Sequence, residues 1–318
     1  MSIFPHDREI AAGVALDSLQ SILLANQLGE KKTMDWTERR TRFRALIEGD
    51  KCVHPGSVFD AMSARIAEDL GFEIGMFAGS TASLAVLGAP DHIVLTLSEF
   101  AGQAYRICRA GNLAILVDAD HGYGNALNVM RTVQELETAG VSAASIEDTD
   151  LPQPFGNLGN TKLLSIEEGV GKMKAAIEAR QDKKFVIAGR TSAAAVTGVE
   201  DCIARARAYE KAGVDMIFLV GVKTREDMEK ICGEINIPIV IGGGPSPDLD
   251  FYASLGARIA LQGHKPIMAA VQAVYDTLKA LRDGVPHGDI EYFADAKLMN
   301  QVTRGNDYDR WMKDFLGG

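Results

Sequence analysis

The chain has 318 residues, of which 47% are hydrophobic and 24% charged, and its formal net charge is −10. That size and balance suit a soluble globular protein, either one barrel-sized domain or two ordinary ones, with enough apolar material for a large core. The acidic balance argues against nucleic acid or an anionic membrane as partner, because either calls for a basic face. A local cation or arginine can still serve a small anionic substrate.

Residues 1–9 carry no basic segment leading into an unbroken apolar run, and the apolar stretch 10–28 is interrupted by Asp17, Gln20 and Asn26. Neither a signal peptide nor a membrane span is expected there. Cys52, Cys108, Cys202 and Cys232 lie far apart with no Cys-x-x-Cys, which suggests neither a zinc site nor a disulfide framework. A reduced, cytoplasmic protein is expected.

In chain order, residues 1–48 read as a helical extension with Ala12, Leu16, Leu19 and Leu23 on one face, followed by a charged stretch over 38–48. From residue 50 onward, short apolar runs alternate with amphipathic patterns. The runs predict strands at 51–54, 74–80, 114–120, 143–148, 185–191, 216–221, 238–244 and 258–263. Helical spacing falls at 61–70, 125–139, 166–180, 201–212, 225–235 and 266–281. Near-continuous apolar strands alternating with helices indicate a parallel sheet covered by helices. Eight such units over 49–283 match a closed (β/α)8 barrel of the TIM type. Leu70-Gly71, Ala139-Gly140, Ala212-Gly213 and Leu255-Gly256 form a weak repeat, each ending a helix with glycine before every second strand. A doubly wound sheet is the main rival, but its Gly-x-Gly-x-x-Gly fingerprint after the first strand is missing. Gly242-Gly243-Gly244-Pro245 ends the seventh strand; barrels often cradle an anion there, although a plain Gly-Pro turn would look the same. Residues 284–318 follow a Gly-Val-Pro break and carry Tyr292, Phe293, Leu298, Trp311 and Phe315 among charges. This helical tail needs a cover for its apolar groups, and a neighbouring subunit is expected to supply it.

Barrels keep their chemistry at the carboxyl ends of the strands. Those ends carry Gly79-Ser80, Asp118 and Asp120, Glu147-Asp148, Arg190-Thr191 and His264. Alternation along a strand points Asp118 and Asp120 the same way. Two carboxylates held together repel unless a cation or shared proton compensates them, and Mg²⁺, which takes oxygen ligands, is the simplest compensation. Each residue alone has a plainer reading: a helix cap, a surface pair, an arginine bridged to a neighbouring acid, a packed imidazole. Scattered surface charge would not favour strand ends on one face, so the set points to an active site.

The motif Asp118-Ala119-Asp120-His121-Gly122-Tyr123-Gly124-Asn125, with Ile146-Glu147-Asp148 and Gly189-Arg190-Thr191, resembles the phosphoenolpyruvate mutase/isocitrate lyase superfamily over residues 52–283. His121, the run Ser57-Val58-Phe59-Asp60-Ala61-Met62-Ser63-Ala64-Arg65, Gly79-Ser80 and the short gate after Glu147 most resemble its oxaloacetate decarboxylase branch. The resemblance implies a barrel whose last helix is exchanged between subunits, usually in a homotetramer. It implies Mg²⁺, with Mn²⁺ as a substitute, bound directly by Asp118, with Asp91, Asp120 and Glu147 acting through water. Arg190 and His264 would then be the catalytic and substrate-binding groups, joined by the backbone at Ser80 and Thr81.

The chain also departs from family patterns. The gate over 149–156 has none of the Lys-x-Cys-Gly-His of isocitrate and methylisocitrate lyases, and no lysine near Gln153, where phosphonate-cleaving and mutating members carry one. Gly244 and Ser192 stand where the decarboxylase branch has tyrosine and asparagine. The parts present suit loss of CO₂ from a 2-oxo diacid such as oxaloacetate, which needs an electron sink and one proton. The alternatives are a metal-dependent lyase or hydrolase of a substituted malate or oxo acid, a Schiff-base aldolase using Lys223, and a non-catalytic assembly subunit. Lys223-Thr224-Arg225-Glu226-Asp227 reads better as a solvated helix start with a threonine cap.

Overall fold

A computed structural model describes residues 36–317 apart from 157 and 158. The helix expected to carry Ala12, Leu16, Leu19 and Leu23 therefore lies outside the described residues. Eight parallel strands run in sequence order: β1 (Gly56–Ser57), β2 (Ile74–Ala78), β3 (Ala114–Asp118), β4 (Ala143–Glu147), β5 (Val186–Thr191), β6 (Met216–Val220), β7 (Ile239–Gly242) and β8 (Ala257–Leu261). Val53 closes the ring: its N–H donates to the carbonyl of Arg258 and its carbonyl accepts from the N–H of Ala260, both at 3.0 Å. The strand expected at 51–54 is thus split in function, with Val53 pairing to β8 and Gly56–Ser57 pairing to β2. Pro55 between them has no N–H to give to either ladder.

Alternate strand residues sort into two cores. Ile74, Met76, Leu116, Val186, Met216, Val240 and Ile259 fill the barrel interior, while Phe77, Ile115, Val117, Ile187 and Ile217 face the surrounding helices. Those helices are α1 (Trp36–Ile47), α2 (Ala61–Asp69), α3 (Leu97–Cys108), α4 (Ala126–Thr138), α5 (Ile166–Ala179), α6 (Val199–Ala212), α7 (Arg225–Cys232), α8 (Leu249–Ser254) and α9 (Lys265–Arg282). Sequence spacing missed α3, whose inner face is built on alanines and Cys108 as well as Phe100 and Ile107. Its start is nonetheless written in Thr96-x-x-Glu99, a capping box that the structure forms. Gly71, Gly140, Gly213 and Gly256 all take the left-handed conformation that the repeat implied, with φ of +83°, +91°, +101° and +84°. Thr224 caps α7 by accepting from the N–H of Asp227, which makes the Lys223 segment a helix start.

Helix α1 shuts the amino-terminal end of the barrel. Phe43 and Ile47 enter the interior core, and Arg40 Nε donates to the carbonyl of Val141 at 2.9 Å while Arg44 reaches Asp215 at 2.9 Å. The opposite, carboxyl-terminal end stays open. After α9 come α10 (Ala296–Thr303) and α11 (Gly305–Leu316), held to α2 by a two-pronged ion pair of Arg304 with Asp69 at 2.7 and 2.8 Å. No helix among the described residues is long and apolar enough to cross a membrane.

Phe43 is completely buried in the plug. Phe43→Ala should cost about 3–5 kcal/mol of folding stability, the range for deleting a core aromatic, as measured by denaturant unfolding. Phe155 in the gate is fully exposed, so Phe155→Ala should leave stability within about 0.5 kcal/mol of the parent.

Candidate active site

The interior column of each strand ends in a polar layer. Along β3 the inward residues are Ala114, Leu116 and Asp118; along β4 they are Ala143, Ser145 and Glu147; along β5 they are Val186, Ala188 and Arg190. Ladder register sets these side by side, since Asp118 pairs with Ser145 and Glu147 with Arg190. Ser145 Oγ donates to Asp118 Oδ1 at 2.9 Å. The Arg190 guanidinium bridges the two acids: Nη1 donates to Asp118 Oδ2, and Nη2 lies 3.2 Å from Glu147 Oε2. Its plane lies over the ring of Phe218, 5.4 Å from the centroid. Arg190 Nε is buried and has no hydrogen-bond partner.

Asp120 reaches the same mouth by a different route from the one alternation suggests. Strand β3 stops at Asp118, and Asp120 takes a left-handed conformation with φ of +48°. Its carbonyl accepts from the N–H of Glu147 at 2.8 Å, which fixes the turn against β4. Its carboxylate lies against Gly79, where any Cβ would collide with it. Asp120 thus sits beside the helical turn Gly79–Ala82, which holds Ser80 and Thr81. The Thr81 hydroxyl is engaged by the turn itself, donating to the Ala78 carbonyl at 2.8 Å. What that turn offers a ligand is its leading backbone N–H groups, which lack intrahelical partners.

The electrostatics of the cluster are lopsided. Burial raises the pKa of Asp120 well above the carboxylate range, and the charges of Asp118, Asp91 and Glu147 push it further. Burial likewise raises Glu147, with Arg190 opposing, and raises Asp91, where Asp118 adds to the effect. Asp91 joins from the exposed rim after β2. Burial disfavours the charge on Arg190, but Asp118, Glu147 and Asp120 more than offset it, so its pKa is raised. Four carboxylates thus share one guanidinium. Among the described residues, no three acidic, histidine or cysteine side chains are drawn together as a ready-made metal cage.

His264 ends the loop after β8, and its Nδ1 lies 2.8 Å from Ser57 Oγ at the end of β1. Burial lowers its pKa, against the opposing pull of Asp118 and Asp91.

One expected member is not at the mouth. Asp148 follows the inward Glu147 and therefore points outward; it is fully buried and accepts from Tyr209 Oη at 2.6 Å and Arg205 Nη1 at 3.0 Å. It fastens β4 to α6 and takes no part in the acidic layer. Gly244 has a packing reason of its own, because a Cβ there would strike the Tyr252 hydroxyl. Sequence reasoning passed over Ser57, Ser145 and Tyr123. The Tyr123 hydroxyl is buried without a partner, and its pKa is raised by burial and then by Asp120, Asp118 and Asp91. Its signal was present, since it stands three residues past Asp120 with φ of +62° between Gly122 and Gly124. The gate over 149–164 is tied at its base, where Asp150 N–H donates to the Lys162 carbonyl and Leu164 N–H to the Asp148 carbonyl, both at 2.8 Å.

A closed parallel barrel with an acidic, arginine-bearing mouth at the carboxyl ends of its strands belongs to the class of barrel enzymes that act on small molecules at that face. Comparison with known proteins narrows the class. The phosphoenolpyruvate phosphomutase model matches residues 43–282, and the chain belongs to that family, within the phosphoenolpyruvate mutase/isocitrate lyase superfamily. It is 54% identical over 286 residues to an oxaloacetate decarboxylase of Bradyrhizobium sp. (strain ORS 278), covering 89% of this chain and 99% of that one. It is 55% identical over 287 residues to an oxaloacetate decarboxylase of Rhodopseudomonas palustris (strain BisB18), with the same coverage. Among solved structures, an oxaloacetate acetylhydrolase bound to the inhibitor 3,3-difluorooxalacetate superposes with a TM-score of 0.78 at 27% identity, covering 89% of this chain and 98% of that one. A phosphonopyruvate hydrolase complexed with oxalate and Mg²⁺ gives 0.77 at 26% identity, covering 87% and 99%.

A carboxylate whose folded-state pKa is raised favours the fold when protonated, and that contribution is lost as pH rises through the raised value. Asn mimics the protonated form. In chelator-containing buffer near neutral pH, Asp120→Asn should therefore raise folding stability by about 0.5–2 kcal/mol, as relief of active-site strain does. The gain should shrink as pH falls into the carboxylate range. Equal or lower stability of Asp120→Asn at neutral pH would show that the crowding carries no cost.

Proposed function

We propose that the chain is a Mg²⁺-dependent carboxy-lyase that converts oxaloacetate to pyruvate and CO₂. The observation that carries the chemistry is the surplus of carboxylate around Arg190 at the barrel mouth. Its substrate assignment rests on kinship, since the relatives named oxaloacetate decarboxylase match this chain along 99% of their own length. The chain is a carbon–carbon lyase for a 2-oxo diacid.

The donor set fits a hard divalent cation. All four acids offer oxygen and crowd one another, which suits an ion held directly by Asp118 and through water by Asp91, Asp120 and Glu147. Mn²⁺ takes the same ligands. When bound, the ion supplies Lewis-acid stabilisation of negative charge on the keto oxygen. Arg190 binds a substrate carboxylate through its planar guanidinium. The N–H groups at Ser80 and Thr81 receive the oxyacid end, and His264 contacts the substrate from the β8 side. In the reaction the C3–C4 bond breaks, the C4 carboxylate leaves as CO₂, and the electron pair stays on C3 in conjugation with the keto group. A proton returned to C3 completes pyruvate. The described part of the gate carries no Cys or His that could serve as an acid–base pair for splitting a hydroxy acid.

A hydrolytic or lyase reaction on the same kind of substrate is the second reading, favoured by the likeness to oxaloacetate acetylhydrolase and to 2,3-dimethylmalate lyase. Assembly is read from α9, where only Ile267 is buried while Met268, Val271, Val274, Tyr275 and Leu278 are 56–63% exposed. Beside it, a pocket of about 620 Å³ opens between α2 and the start of α9, lined by Phe59, Ile66, Leu70, Phe72 and Pro266. A homotetramer in which α9 is exchanged between neighbours, with the tail from residue 284 covered by the partner, would hide these surfaces. The four cysteines are free and buried, which agrees with a cytoplasmic setting.

The test is the loss of oxaloacetate with and without Mg²⁺. Exhaustive chelation should abolish turnover, and Asp118→Ala should abolish it while the barrel stays folded. Arg190→Lys keeps the charge but loses the planar fork, so kcat/KM should fall about 10- to 100-fold, the equivalent of one charged hydrogen bond. Isocitrate, methylisocitrate and phosphonopyruvate should not be consumed. Full activity of chelated enzyme or of Asp118→Ala would overturn the metal assignment.

A further inference from the structure

Ser57 ends β1 and His264 ends the loop after β8, next to each other where the barrel closes, and a hydrogen bond links their side chains. Each is held by its own backbone. Ser57 is paired in register with Met76 of β2, and the next N–H, that of Val58, donates to the Met76 carbonyl at 2.9 Å. His264 stands just before α9 with φ of −117° and ψ of +44°, and its side chain makes no capping bond to that helix. The hydrogen bond that orients the ring is the one to Ser57.

We infer that Ser57 is a positioning residue: its hydroxyl donates to Nδ1 of His264 and selects the tautomer whose Nε2–H is presented to the substrate. A neutral imidazole has one N–H, and a hydroxyl can donate or accept, so the 2.8 Å contact alone allows two arrangements. The surroundings choose between them. If Nδ1 carried the proton and gave it to Ser57, the Nε2 lone pair would be turned toward an anionic substrate, acceptor against acceptor. With Ser57 donating, Nε2 carries the proton and meets negative charge with a donor. The hydroxyl thus sets both the orientation of the ring and the sign of the dipole it offers. Threonine would keep this donor; alanine would leave the ring free to turn and to change tautomer.

The inference rests on the reading of His264 as a substrate-binding group, and its test separates the two. Solid-state ¹⁵N NMR of histidine-labelled enzyme, with His264→Gln to assign the signal, should show Nε2 protonated and Nδ1 bare; a protonated Nδ1 overturns the inference. Oxalate binding in the presence of Mg²⁺ gives the second readout by calorimetry. Ser57→Ala should weaken oxalate about fivefold, the worth of one neutral hydrogen bond, and Ser57→Thr should restore it to near the parental value. Since Ser57 acts only through the ring, Ser57→Ala/His264→Gln should bind no more weakly than His264→Gln. Multiplying losses in the double variant, or parental affinity in Ser57→Ala, would contradict a positioning role. If His264→Gln leaves both oxalate affinity and oxaloacetate turnover unchanged, the substrate role of the histidine falls, and the role of Ser57 falls with it whatever the tautomer.

Discussion

Everything at the barrel mouth follows from one imbalance: four carboxylates meet a single guanidinium in a partly dry pocket. Arg190 answers two of them, Asp118 and Glu147, while Asp120 and Asp91 are left to repel their neighbours. A fold keeps such a cluster only if something else compensates it in use, because unpaired buried acids work against stability at neutral pH. The cation and the anionic substrate of the proposed reaction supply charge of both signs at that place, so the repulsion among the acids is the counterpart of the binding it serves.

The barrel makes this arrangement with simple means. Parallel register puts Asp118 beside Ser145 and Glu147 beside Arg190, so adjacent strands deliver the polar layer already paired. Below it lie the apolar interior residues and, at the far end, the α1 plug with Phe43 and Ile47. A packed floor of this kind keeps the guanidinium over Phe218. Outside the barrel the apolar face of α9 and the neighbouring pocket put the same logic on the assembly, since surfaces of that size call for a cover.

Much of this was legible in the chain. The strand–helix alternation, the four repeat glycines and the polar strand ends were enough to place Asp118, Asp120, Glu147, Arg190 and His264 on one face. Four features resisted. The first strand was misplaced because Pro55 divides its pairing between two neighbours, which no apolar pattern records. Asp148 was counted with the mouth although strand alternation turns it away from Glu147 and onto Tyr209 and Arg205. Asp120 was expected to extend β3, yet it faces the site from a left-handed turn, a conformation foretold only by the glycines that follow it. Ser57 could be quoted within a motif, but its contact with His264 spans 207 positions and exists only once the barrel closes.

The central claim is that this mouth removes CO₂ from oxaloacetate and does not hydrolyse it. ¹³C NMR of the products formed from uniformly labelled oxaloacetate with Mg²⁺ tests it most directly, with the spontaneous rate subtracted. Pyruvate and bicarbonate in equal amounts, with no labelled oxalate or acetate, is the predicted result. Oxalate and acetate as the enzyme-dependent products would contradict it and would place the chain with the acetylhydrolase it resembles in shape.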